Sequence, residues 1–207
     1  MPLLVHQEEV RLELKDMTRR IVLERDVQNG YIVPPSRASG LHLSGLLKYV
    51  AYTSRITARM QEIADEEMPL RWMLGHAFEE FAASLCVDMK WQPGETDTPC
   101  IMNCDGITFR DDLDGDTFCV NEFKCNRSKR YSAHDLIEKK WLWMCQGRGY
   151  CCGYGTCHVE WNVLSVMEWP DPVWTRYLIR FTDEELDGMM QMIKANYRAA
   201  VKAGYAE

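Results

Sequence analysis

The chain predicts a single α/β domain with a central mixed β-sheet flanked by helices, on three observations. Apolar residues recur at helical spacing over 69–87, over 132–152 and again after Thr182. Between and after these lie stretches that read as strands, over 105–124, 156–167 and 174–181. The 207 residues, 46% apolar and 27% charged, suit one full-sized core, and no internal repeat or low-complexity segment suggests another.

In chain order, residues 8–27 alternate charged and apolar side chains (Val10, Leu12 and Leu14, then Ile21, Val22 and Leu23), which predicts a peripheral strand or hairpin. Gly30 to Gly40, with Pro34, Pro35 and Ser36, is a loop. A helix opens after Arg37, with Ser44 as its expected N-cap. From Pro69 to Val87, Leu70, Met73, Leu74, Ala77, Phe78, Phe81 and Leu85 form the apolar stripe of a second helix. Asp105 to Lys124 reads as two strands joined by an acidic turn. A long helix is expected from Ser132 to about Cys152, carrying Leu136, Ile137, Trp141, Met144 and Cys145. After two more strands, Thr182-Asp-Glu-Glu185 is a capping box opening a last amphipathic helix with Leu186, Met189, Met190, Ile193, Tyr197 and Ala200.

The hairpin carries the chemistry. Glu122 and Lys124 are two apart, so on a strand both side chains leave one face and Phe123 the other. A turn over 112–116 would bring Asp112, ten residues earlier, beside that pair. Two carboxylates and an ammonium at one spot suit a divalent cation that activates water for phosphodiester hydrolysis. Among the hairpin aspartates Asp112 ranks first as the second ligand, then Asp105, then Asp114, with Asp114-Gly115 read as the turn itself.

Two further motifs flank the hairpin. Gly75-His-Ala-Phe-Glu79 is a helical Gly-x-x-x-Glu element, and Gln146-Gly-Arg-Gly-Tyr150 is a Gln-x-x-x-Tyr element whose ends share a helix face, with Lys139 two turns earlier. Taken in order, helical Glu, hairpin Asp, Glu-x-Lys and Gln-x-x-x-Tyr resemble the PD-(D/E)XK nuclease superfamily, in particular lambda-exonuclease and RecB-like enzymes of phage type. The match spans roughly 40–167. Asp111 and Leu113 stand where the lambda-type turn has proline and glycine. The resemblance implies a restriction-endonuclease-like core and a metal-dependent deoxyribonuclease, most readily an exonuclease of DNA processing or recombination. An endonuclease of the same chemistry and a silent DNA-end or recombination-partner binding protein are the alternatives. It also implies Mg²⁺ or Mn²⁺ held by Asp112 and Glu122 with help from Glu79 and the Phe123 carbonyl, Lys124 positioning the attacking water, and Gln146 and Tyr150 holding the strand. His76 is expected to take no metal role. The domain then divides into a peripheral segment at 1–40, a catalytic core at 41–167 and a C-terminal strand and helix at 168–207.

The net charge of −7 excludes nonspecific coating of DNA by the whole surface and leaves local patches to make contact. Arg127, Lys129 and Arg130 follow Lys124, with Lys139, Lys140 and Arg148 beyond, and are expected to meet phosphates. Trp161, Trp169, Trp174 and Tyr177 could stack on bases, but core or dimer packing is the preferred use. The nine cysteines contain no Cys-x-x-Cys pair and fit no zinc knuckle or secreted disulfide framework. Some RecB-like nucleases carry a four-cysteine iron–sulfur cluster; Cys145, Cys151, Cys152 and Cys157 are clustered, yet reduced, partly buried thiols are the expectation. No run approaches the roughly 20 apolar residues of a membrane span. The N-terminus lacks the basic region and apolar core of a signal peptide, which predicts a cytoplasmic protein, in the host if phage-borne. Expected partners are DNA and a single-strand annealing or recombination protein, with no membrane; a homo-oligomer is compatible.

Overall fold

The computed structural model describes residues 2–11, 27–28, 31–32, 40–54, 75, 77–78, 89–90, 98–102, 104–116, 118–126, 130–168 and 172–206. Its strands are β1 (Leu3–Arg11), β2 (Val27–Gln28), β3 (Tyr31–Ile32), β4 (Met89–Lys90), β5 (Gly106–Phe109), β6 (Phe118–Asn126), β7 (His158–Ser165) and β8 (Val173–Arg180). The helices described in full are α1 (Leu43–Thr53), α2 (Ala133–Lys139), α3 (Trp141–Tyr154) and α4 (Asp183–Lys202). The architecture is α/β. One mixed sheet runs β1-β8-β7-β6-β5-β4, and β2 and β3 pair separately. Neighbouring strands are antiparallel except β6 and β7, which are parallel and joined through α2 and α3, as a parallel pair requires a crossover.

Alternation divides the sheet into two faces. Val120, Val159, Trp161, Tyr177 and Ile179 point to one face, where Leu43, Leu46 and Leu47 of α1, Met144, Tyr150 and Cys151 of α3, and Met189 and Ile193 of α4 complete the main core. On the other face Phe123 and Trp174 pack edge-on against Phe78, each with ring centroids 5.5 Å from it. β7, central and covered on both faces, is buried along its whole length.

Two glycines let α3 lie close. A Cβ on Gly147 would stand 3.1 Å from Trp161 and 3.2 Å from Val159, and one on Gly149 would stand 2.5 Å from a Leu43 methyl. One glycine therefore seats the helix on the sheet and the other seats it against α1. Between them they carry Gln146 and Tyr150 down toward β6.

Several expectations shift. The stretch read as a peripheral strand contributes the end of β1, an edge strand that starts earlier, at Leu3, and pairs with β8 with an irregularity between Leu4 and His6. Residues 12–26 lie outside the described residues. α1 is capped by His42, not Ser44, and the His42 side chain makes no cap bond. Its start is set by backbone pairing with the 98–102 segment, through Leu43 N–H to the Ile101 carbonyl at 3.1 Å and Ile101 N–H to the Leu41 carbonyl at 2.9 Å. The helix expected over 132–152 is two helices, broken at Lys140, whose φ of −104° and ψ of 53° leave the helical region. Ser132 caps the first by accepting from the Asp135 amide, and the second ends on Gly155 in the left-handed region at φ 72°. The capping box at α4 is present in both directions. Of the helix read over 69–87, Gly75, Ala77 and Phe78 are described, and each is helical. Among the described residues no helix is long and apolar enough to cross a membrane.

Candidate active site

Glu122 and Lys124 leave β6 on the face covered by α3. Lys124 Nζ is 2.5 Å from Glu122 Oε1, and the Gln146 amide nitrogen donates to the same oxygen at 2.7 Å. That amide also donates to the Tyr150 hydroxyl at 2.9 Å. Gln146 and Tyr150, one helical turn apart, thus form a short relay from the core of α3 to the Glu122 carboxylate. Only 3% of Glu122 is exposed. A buried charge is tolerable only with close partners, and the ammonium and the amide supply them. Trp161, opposite Glu122 on β7, lies beneath Lys124 with its ring centroid 5.8 Å from Nζ.

Asp105 joins this group through strand register. β5 and β6 pair Gly106 with Asn121, Ile107 with Val120, Thr108 with Cys119 and Phe109 with Phe118. One step further sets Asp105 opposite Glu122, and opposite residues in an antiparallel pair share a face. The Asp105 amide donates to the Asn121 carbonyl at 3.1 Å, and its Oδ2 accepts the Phe123 amide at 2.7 Å. Burial first, and then the charges of Glu122 and Asp105, push the Tyr150 hydroxyl well above its ordinary pKa, so it stays protonated. Cys104, pushed up to about 12 mainly by burial, feels the same two charges.

Asp112 lies elsewhere. β5 and β6 end their pairing at Phe109 and Phe118, roughly 13 Å along the strand from Glu122, and residues 110–116 lie beyond that end. There Asp112 is forked by Arg110, Nε to Oδ1 and Nη2 to Oδ2 both at 2.8 Å, with 64% of its side chain exposed. The guanidinium holds its pKa down at about 2. The expectation that put Asp112 beside Glu122 took the turn to start at 112, whereas residue 112 is already inside the loop. Asp114 is also at the tip, 3.0 Å from Arg180.

Other expected site residues divide similarly. Glu79, Arg127 and Lys129 lie outside the described residues, as do Glu80, His76 and Trp169. Phe78, beside Glu79 in sequence, packs on Phe123 and so on the face opposite Glu122. Phe123 itself is buried, and it is its amide that holds Asp105. Arg130 is exposed, with its backbone amide on Glu168. Lys139 ends α2, 2.5 Å from Asp135, and the break at Lys140 takes it off the Gln146 stripe. Lys140 lies over the rings of Tyr131 and Trp143, at 4.4 and 5.4 Å. Arg148 is turned inward, 3.0 Å from Glu185 of the α4 capping box and over the Phe181 ring. Trp161, Trp174 and Tyr177 are fully buried and serve the core. Of the four clustered cysteines, Cys145 and Cys151 are buried in α3, Cys152 is half-buried, and Cys157 faces Asp116 and His158.

Chemically, the group Asp105, Glu122, Lys124, Gln146 and Tyr150 offers hard oxygen donors next to a cation and a neutral hydroxyl. The Phe123 amide fixes one oxygen of Asp105, and Lys124 with Gln146 fixes one of Glu122. Both carboxylates, held in orientation in this way, are of the type that binds a hard divalent ion such as Mg²⁺. Compared with models of protein families, with curated proteins and with solved structures, the chain matches none of them.

Proposed function

We propose that this chain is a metal-dependent deoxyribonuclease with the PD-(D/E)XK arrangement, acting on linear DNA as an exonuclease. One observation carries the reading: Glu122 with Lys124 and Gln146 with Tyr150 meet through direct side-chain bonds, and Asp105, opposite Glu122 in the ladder, bonds the Phe123 amide between Glu122 and Lys124. A binding module would have no need of two carboxylates and a lysine so close together.

In this reading Asp105 and Glu122 would hold Mg²⁺, with the Phe123 carbonyl as a further donor. The ion, when bound, lowers the pKa of a coordinated water and offsets charge on the phosphate. Lys124 orients the attacking water and stabilises negative charge developing on the phosphoryl oxygens. Gln146 holds the Glu122 carboxylate in place, and Tyr150, held neutral, keeps Gln146 from rotating away. Contact with phosphates, without sequence preference, falls to the basic segment Arg127, Lys129 and Arg130 that follows Lys124 in sequence.

The test is incubation of the purified chain with end-labelled linear and closed-circular DNA in Mg²⁺, Mn²⁺ or EDTA. Metal-dependent loss of the linear substrate is expected. Cleavage that survives EDTA would overturn the metal mechanism. Cutting of the circle would make the enzyme an endonuclease. Metal binding by calorimetry with no cleavage of any nucleic acid would make it a binding protein.

A further inference from the structure

A second cluster of metal-binding side chains lies on the other face of the sheet. His158 opens β7 and is three residues, roughly 10 Å, from Trp161, the neighbour of Glu122. Its Nδ1 is 2.6 Å from Asp116 Oδ2 and 3.3 Å from Cys157 Sγ, and Sγ is 3.2 Å from the same carboxylate oxygen. His158 is 1% exposed, while Asp116 and Cys157 are half-buried. A carboxylate oxygen, an imidazole nitrogen and a thiol sulfur therefore converge where residues 110–116 meet the start of β7.

We infer that Asp116, Cys157 and His158 form a binding site for a borderline divalent cation, Zn²⁺ in particular, that fastens the hairpin loop to β7. The donor set selects the ion. Thiolate and imidazole favour Zn²⁺ over Mg²⁺ and Ca²⁺, which take oxygen. Around a tetrahedral Zn²⁺, with bonds of about 2.0–2.3 Å, such donors stand roughly 3.3–3.6 Å apart. The two edges at sulfur need to open by a few tenths of an ångström, and the His158–Asp116 edge by somewhat more. Three protein donors leave a fourth position to water.

Support for the carboxylate is already in place. Asp116 Oδ2 also accepts the Thr156 hydroxyl at 2.7 Å and the Cys157 amide at 2.8 Å, bonds that keep it oriented when the imidazole turns to a metal. Binding releases the Cys157 thiol proton to solvent, so thiolate, carboxylate and Zn²⁺ sum to zero charge. Arg180, 3.0 Å from Asp114, also bonds the Cys157 side chain, where its guanidinium favours the thiolate that a metal takes.

This site shares no donor with the nuclease reading and stands whether or not that reading holds. Titration of the full-length chain with Co²⁺ as a spectroscopic probe tests it, since a cysteine ligand gives a thiolate-to-cobalt charge-transfer band. A thiolate band that corresponds to one Co²⁺ per chain is expected, displaced by Zn²⁺, absent in Cys157→Ser and retained in Glu122→Gln. A folded wild-type chain without the band, or a band of equal strength in Cys157→Ser, would overturn the assignment and leave the cluster as a hydrogen-bonded clasp. Should Cys157→Ser fail to fold, alkylation of the wild-type chain decides, with modified peptides identified by mass. Zn²⁺ should protect Cys157 at least tenfold, and equal modification with and without Zn²⁺ would refute the site.

Discussion

The two ends of the β5–β6 hairpin treat their carboxylates in opposite ways. At the open end, Asp105 and Glu122 face each other across the ladder and beneath α3, with one oxygen of each gripped by an amide or an ammonium. At the closed end, Asp112 and Asp114 project to solvent against Arg110 and Arg180, and Asp116 is folded onto the start of β7. Five aspartates lie between 105 and 116, yet only one is set by ladder pairing opposite the buried glutamate. A carboxylate becomes useful to a metal through register, because the sheet fixes its direction and the cover removes water from around it. In the loop, an exposed ion pair contributes little and binds nothing tightly.

The contrast predicts its largest effect on catalysis. On the proposed nuclease reading, Asp105→Asn and Glu122→Gln should each lower the cleavage rate on the order of 10³-fold or more, since each would remove charge from the metal. Asp112→Asn should keep nearly wild-type turnover. A folded, inactive Asp112→Asn beside an active Asp105→Asn would invert the comparison. Within the open end, Lys124→Ala should abolish cleavage while metal binding, read by calorimetry, persists. Tyr150→Phe should cost about tenfold in rate and about 1 kcal/mol in stability, because it removes one buried hydrogen bond from the relay. Wild-type kinetics in Tyr150→Phe would reduce Tyr150 to core packing.

Arg148 sharpens the comparison from the helix side. If it serves Glu185 and Phe181 and does not meet phosphate, Arg148→Ala should lose about 1 kcal/mol of stability and leave the salt dependence of DNA binding unchanged. A salt slope smaller by about one would return Arg148 to the DNA channel. Burial works to raise the Glu185 carboxyl, but the Thr182 amide and Arg148 outweigh it and hold the group below its ordinary 4.5. A group depressed in the folded state stabilises the fold above its unfolded value and loses that contribution as pH falls through its folded value. Wild-type melting temperature should therefore drop more steeply below pH 4.5 than that of Glu185→Gln. Parallel curves would mean that the capping pair carries no such linkage.

The smallest effect concerns how α3 covers the open end. Gly149→Ala should destabilise by about 1 kcal/mol net, because crowding against buried Leu43 exceeds the gain in helix propensity. Gly147→Ala meets looser contacts at 3.1–3.4 Å and should be near neutral in chemical denaturation. Equal stabilisation of both would show that α3 has room to move off the sheet.

Local patterns in the sequence determined much of this molecule. Thr182 and Glu185 cap α4 because three-residue spacing alone lets each reach the other's amide. Gln146 and Tyr150 share a face because helical geometry requires it, and Glu122 and Lys124 because strand geometry does. The α/β class followed from such periods. Asp105 follows from the turn as well, since a turn at Asp114-Gly115 pairs Glu122 with a residue near 105–107 and not with 112. Other features had no local signal. Leu3–Arg11 joins the main sheet only because β8, far along the chain, offers an edge. α1 starts at Leu43 because Ile101 pairs with the segment before it. The break at Lys140, the inward turn of Arg148 and the meeting of Asp116 with Cys157 and His158 depend on contacts between distant elements. Tertiary structure decided these, because hydrogen-bond register and close packing are properties of two segments together, and neither segment encodes its partner's position.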